Sequence, residues 1–142
     1  MFGGKWGAFN TGSRHFFNPE KPLYKEISRI AEIRQNEAAL RYGRQYFREI
    51  SGNGIDFGYP IDGRCTLAYS RILDDTEMII AMNLDTHYRN DFITVDSNLT
   101  PVGKKMINLL KPGSIFTVQA MGKRNAVKAD LFPHEIAIFK LI

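Results

Sequence analysis

Two periodicities divide the chain. Within "PLYKEISRIAEIRQN", taken at about 100° per residue, Leu23, Ile27 and Ile30 lie close together, flanked by Tyr24, Ala31 and Ile33. This predicts an amphipathic helix. Its start chemistry is complete: Asn18 suits the N-cap, Pro19 the first turn, and Glu20 the positive end of the helix dipole. Pro22 is still tolerable in that first turn. The apolar arc spans about 180°, wider than the ~100° that one packing face needs. Arg34 falls near the middle of the arc, so it either pairs with a carboxylate or marks where the helix leaves the core. The helix is expected to fray around residues 36–39.

From Leu40 onward the pattern becomes that of strands. "LRYGRQYFREI" is β-compatible and "SGNGIDFGYPIDG" is a glycine-dense loop. "RCTLAYSRIL" sets Cys65, Leu67 and Tyr69 on one face, and "TEMIIAMNL" sets Met78, Ile80 and Met82 together. Asp74 and Asp75 form the hairpin turn between them. "NDFITVD", "KMINLL", "SIFTVQA" and "HEIAIFKLI" follow, each bounded by Asn, Asp, Gly or Pro. Strands spaced by roughly 8–12 residues with such turns predict an antiparallel sandwich or barrel. Ahead of the helix, "MFGGKWGAFNTGSRHFF" carries five glycines or serines among Phe2, Trp6, Phe9, Phe16 and Phe17. Aromatics without a hydrophobic period need another surface to cover them, so this segment reads as a loop laid over something.

Composition narrows the class more than the function. The chain has 142 residues, 44% apolar and 24% charged, as expected of one soluble globular domain with a real core. No apolar run approaches the roughly 20 residues that span a bilayer, which argues against a membrane partner. "MFGGKWGAFN" has no apolar signal-peptide region. The single cysteine, Cys65, leaves no internal disulfide and inclines the reading toward a reducing, cytoplasmic compartment. The net charge of +4 is scattered along the chain, clustering only in "GKKM" and "MGKRNAVK". It reads as a solvated surface rather than a nucleic-acid face.

Candidate chemistry is thin. "GGKWG" and "SGNG" lack the spacing of a phosphate loop, so no nucleotide cofactor is expected. His15, His87 and His134 are far apart in turn-like contexts, giving no metal site. Cys65 lies in a strand and reads as an inert buried thiol. Glycoside chemistry needs two carboxylates about 5–10 Å apart across a sugar-binding cleft. Asp74, Asp75, Asp85, Asp91, Asp96 and Asp130 all fall at predicted turns or strand ends, where Asp serves the backbone. No catalytic residue is assigned. Trp6 and Tyr59 are the candidates for stacking on sugar rings, although "NGIDFGYP" reads equally as a loop folded onto its own aromatics.

The order of segments resembles the tail of an α-amylase-family enzyme, glycoside hydrolase family 13. The resemblance rests on "MFGG", "FGAF" and "HFFN" ahead of the helix, which is similar to that family's final barrel helix. "LRYGRQYFREI" is similar to the first strand of its C-terminal β-sandwich, "LAYSRILDDTEMIIAMNL" to the central hairpin, and "LFPHEIAIFKLI" to the closing strand. The resemblance implies a mainly β fold: an antiparallel Greek-key β-sandwich of about seven or eight strands preceded by one N-terminal amphipathic α-helix. It implies that residues 1–39 are a remnant of the catalytic (β/α)8 barrel and residues 40–142 a C-terminal all-β domain. The family's catalytic Asp, Glu and Asp lie upstream of the matching segment, so Met1 would correspond to an interior position of a longer enzyme. The fragment itself would be no enzyme; its role would be to support the barrel of a parent acting on α-glucans. The alternative is a carbohydrate-binding β-sandwich module. The implied partners are the missing barrel, an α-glucan, and another copy of the chain through the helix. Residues 1–20 are then expected to be poorly ordered or held by intermolecular contacts.

Overall fold

The computed structural model describes residues 19–63 and 65–142. The expectations for the aromatic lead-in, Trp6, His15 and the Asn18 cap lie outside the described residues. The chain divides into two compact units, residues 1–32 and 33–142.

Helix α1 runs Pro22–Asn36. Pro19 and Glu20 lie in a turn ahead of it rather than in its first turn. Pro22 accounts for the shift: it has no N–H to donate and its φ is preset, so it opens a helix more readily than it sits inside one. Lys25 N donates to Lys21 O at 3.1 Å, and the Lys25 ammonium pairs with Glu20 at 2.9 Å. No residue of α1 is buried; Leu23 is 72% and Ile27 55% exposed. Arg34 is exposed as well, on the solvent side of the choice its position posed.

The expected fraying at residues 36–39 is instead a break followed by a second helix. Glu37 is extended (φ −105°), and α2 then spans Ala38–Tyr42. Leu40 was expected to open the first strand, but packing overrides its β-compatible neighbours. Ala39 is buried with Met78 and Ile138, and Ile33, Leu40, Leu73, Leu109 and Leu110 pack around them. Gly43 ends α2, its N–H reaching Ala39 O at 2.9 Å. A Cβ there would stand 2.5 Å from Ala39 O and 2.9 Å from Ile72 O, so only glycine fits between helix and sheet.

Among the described residues ten strands follow, in two antiparallel sheets. The first holds, in spatial order, β1 (Arg44–Phe47), β3 (Thr66–Leu73), β4 (Thr76–Asn83), β10 (Ile136–Leu141), β6 (Lys105–Asn108) and β7 (Ile115–Thr117). The second holds β2 (Ile50–Ser51), β5 (Arg89–Val95), β9 (Arg124–Leu131) and β8 (Gln119–Met121). Consecutive strands repeatedly change sheets, as in a Greek-key sandwich. The count exceeds seven or eight because "LRYGRQYFREI" leads into both β1 and β2, "SIFTVQA" divides between the sheets at buried Val118, and β9 forms over residues that the sequence marks only as a basic cluster. Val118 N donates to Lys104 O and Val118 O accepts from Gly103 N, both at 2.9 Å, which pins the crossing point.

The core lies between the sheets. Ala68, Ile79, Ala81, Met106, Ala137 and Phe139 of the first sheet meet Ile93, Val95, Val127, Ala129 and Leu131 of the second. Central strands β4 and β10 are buried on both faces, since Met78 and Ile138 pack outward under α2 while Ile79 and Phe139 pack inward. Their sequences therefore read as near-continuous apolar runs. The hairpin at Asp74–Asp75 forms as expected, pairing Leu73 with Thr76, and Asp74 takes φ +52°. In β3 the face turned to the second sheet is Thr66, Ala68 and Ser70; Leu67 and Tyr69 are half-buried on the other.

Candidate functional site

Tyr59 stands where a loop passes over the first sheet's edge. It is 59% exposed and, with Gln45, Tyr46, Phe47, Pro60 and Leu67, lines an open groove of about 650 Å³. Phe47 packs edge-on to Tyr69, with ring centroids 6.4 Å apart. The loop gains its shape from Asn53: its Oδ1 accepts the N–H groups of Ile55 and Asp56, both at 2.9 Å. The lining is aromatic and aliphatic, with Gln45 the one side-chain amide among these residues. That suits an apolar surface better than a polyhydroxylated ring, which needs converging hydrogen-bonding groups.

The carboxylates serve architecture. Asp96 accepts from Asn98 N at 2.9 Å and Leu99 N at 3.1 Å, a turn role like that expected of Asp74 and Asp75. Asp85 accepts from the backbone N–H of His87, and its contact with the His87 ring holds its carboxyl below the usual aspartate range. Asp91 departs from expectation: it lies inside β5, is buried, and pairs with Arg89 at 2.9 Å and with the Thr66 hydroxyl at 2.6 Å. A buried carboxylate in mid-strand is stable there because both oxygens meet donors. Asp130 is in β9, where it accepts from Tyr88 and Asn90.

One buried carboxylate carried no sequence signal. Glu77, with a fully buried side chain, accepts from Arg48 Nη2, Ser70 Oγ and Thr100 Oγ1, each at 2.6 Å. Asp96 N completes the shell at 3.0 Å from the second oxygen. This network ties β4 to the segment after β1 and to the turn beyond β5. Its partners on β3 and beyond are read only in three dimensions.

Cys65 is buried, and burial followed by the nearby Asp62 charge pushes its thiol up, as an inert thiol requires. Among the described residues no group of three His, Cys, Asp or Glu is placed to hold a metal ion. No helix among them is long and apolar enough to cross a membrane.

No protein-family model matches the chain, and no curated protein matches it. Solved structures do. An α-amylase from Geobacillus thermoleovorans, crystallised with acarbose, superposes with a TM-score of 0.65 at 19% identity, over 94% of this chain and 25% of its own. A debranching enzyme from Nostoc punctiforme gives 0.54 at 23% identity, over 90% and 24%. An isomaltulose synthase from Erwinia rhapontici gives 0.52 at 19% identity, over 96% and 21%. The chain thus spans about a quarter or less of the structures it matches, and its fold is one that amylase-family enzymes contain as a minor part of a longer polypeptide.

Proposed function

We propose that the chain is the C-terminal part of an amylase-family glycoside hydrolase or transglycosylase acting on α-glucans. In this reading residues 1–39 are the tail of the catalytic barrel, and residues 40–142 are an all-β domain that supports it. The observation carrying the proposal is the pattern of the matches. Enzymes named for hydrolysis, debranching and isomaltulose synthesis each resemble nearly all of this chain with only 21–25% of their own length. A segment common to different reactions fits support better than chemistry. The carboxylates agree: Asp85, Asp91, Asp96 and Asp130 are committed to turns, an ion pair and side-chain hydrogen bonds. None is offered as one of the two groups that glycoside cleavage requires. Leu23 and Ile27 then belong against the barrel, which would cover the apolar surface that α1 leaves open. A second copy of the chain would cover the same surface by self-association.

The isolated chain is expected to release no reducing sugar from starch or maltoheptaose, read by a reducing-end assay on purified protein. Turnover that survives repurification would overturn the assignment of chemistry to another part of the parent.

A further inference from the structure

The outer face of the first sheet, where α2 lies over it, holds two arginines with unmet donors. Arg41 stands in the last turn of α2, and Arg71 on β3, opposite Gln45 of β1 and Met78 of β4. Both residues are half-buried. The Nε of each is sealed from solvent and has no hydrogen-bond partner, and these are the two buried side-chain atoms so left among the described residues. A charged donor withdrawn from water ordinarily meets an acceptor, because otherwise its hydration is lost without return.

Arg71 Nη2 donates to the backbone carbonyl of Arg41 at 3.3 Å, which brings the two residues together at the C-terminal end of α2. That contact accounts for a single N–H of the Arg71 fork. The Arg41 guanidinium lies 5.0 Å from the centroid of the Tyr42 ring, a contact that favours its charge without accepting its N–H groups. Among the described residues no carboxylate of the flanking elements pairs with either arginine. Glu37, ahead of α2, takes Lys140 at 2.7 Å. Glu77, on the inward face of β4, takes Arg48 at 2.6 Å. Asp74 and Asp75 lie exposed in the hairpin turn.

Two positive charges held together, with unmet donors and no counter-charge, call for an acceptor that carries negative charge. The guanidinium fork matches an oxyanion through parallel N–H···O bonds. We propose that Arg41 and Arg71 form a binding site for one oxyanion group, a carboxylate or a phosphate. Tyr42, 69% exposed, is the ring that turns aside to admit it. The site is argued from this chain alone and stands apart from the assignment to an amylase-family parent.

The test is a titration of the full chain with sodium phosphate and, separately, with sodium acetate at constant ionic strength, read on the arginine Nε–Hε signals by NMR. Saturable shifts are expected at Arg41 and Arg71, with Arg124, already paired with Glu49, unmoved. Arg41→Leu removes a side chain whose Nε has no acceptor, so the fold should persist while affinity, read at Arg71, falls about tenfold. In anion-free buffer the same variant should not lower the urea midpoint, whereas loss of a purely structural arginine would. Arg71→Lys keeps the charge but not the fork, and should weaken binding in the same direction, read at Arg41. Tighter binding of phosphate assigns a phosphoryl group; equal or tighter binding of acetate assigns a carboxylate. Absence of saturable shifts with both anions, equal movement at Arg124, or unchanged affinity in both variants would overturn the site.

Discussion

Glu77 shows at residue scale what holds the sandwich together and why it was hidden. A glutamate at the start of an apolar strand reads as an edge residue facing water. In the fold it is sealed from solvent, and its donors come from 29 positions away at Arg48, 7 at Ser70 and 23 at Thr100. No local pattern joins positions so far apart, so its burial was illegible in the sequence. Asp91 was misplaced for the same reason, since the Thr66 hydroxyl that satisfies it lies on another strand. Cys65 lies in a bend just ahead of β3 rather than inside the strand where its pattern put it, yet it is buried there all the same. Glu77→Ala would leave the Arg48 guanidinium, 16% exposed, without its counter-charge. It should cost about 3 kcal/mol, read as a lower midpoint in urea denaturation with the slope unchanged. Lys25→Ala, which breaks an ion pair whose side chains are 60% and 79% exposed, should leave the midpoint in place.

At the scale of elements, the hairpin β3–β4, strands β5 and β10 and helix α1 follow from period and turn chemistry. Each stretch there is long enough for its pattern to outweigh local exceptions. The reading failed where an element is short and its state is set by what lies over it. It failed also at β9, eight residues long, whose charged and small residues hide a strand that pairs with β5 from Asn125 to Leu131. Residues 38–42 have no helix-length period, yet they coil because Ala39 must meet Met78 and Ile138. "SIFTVQA" looks like one strand, but Gly103 and Lys104 hold Val118 at the point where the chain leaves one sheet for the other. Gly43 is the joint between helix and sheet, and its role is space rather than an unusual backbone angle, since its φ is −61°. Gly43→Ala would drive a methyl group into the carbonyls of Ala39 and Ile72. Backbone cannot yield there as a flexible side chain would, so the variant should lose about 1–3 kcal/mol. Hydrogen exchange should show the loss as faster opening of α2 and β1.

For the whole molecule, the order of segments said more than any single motif. The helix ahead of a run of strands, the aromatic lead-in and the closing "HEIAIFKLI" suggested a resemblance, and the fold agrees with it over about nine-tenths of the chain. Of the two stacking candidates, Tyr59 lines an apolar groove and Trp6 lies outside the described residues. The central claim is that this chain supports chemistry carried elsewhere in a longer enzyme. Sequencing the genomic DNA upstream of the Met1 codon tests that claim most directly. The account predicts an in-frame (β/α)8 pattern carrying the family's Asp, Glu and Asp motifs; an upstream region with no such barrel in frame would contradict it.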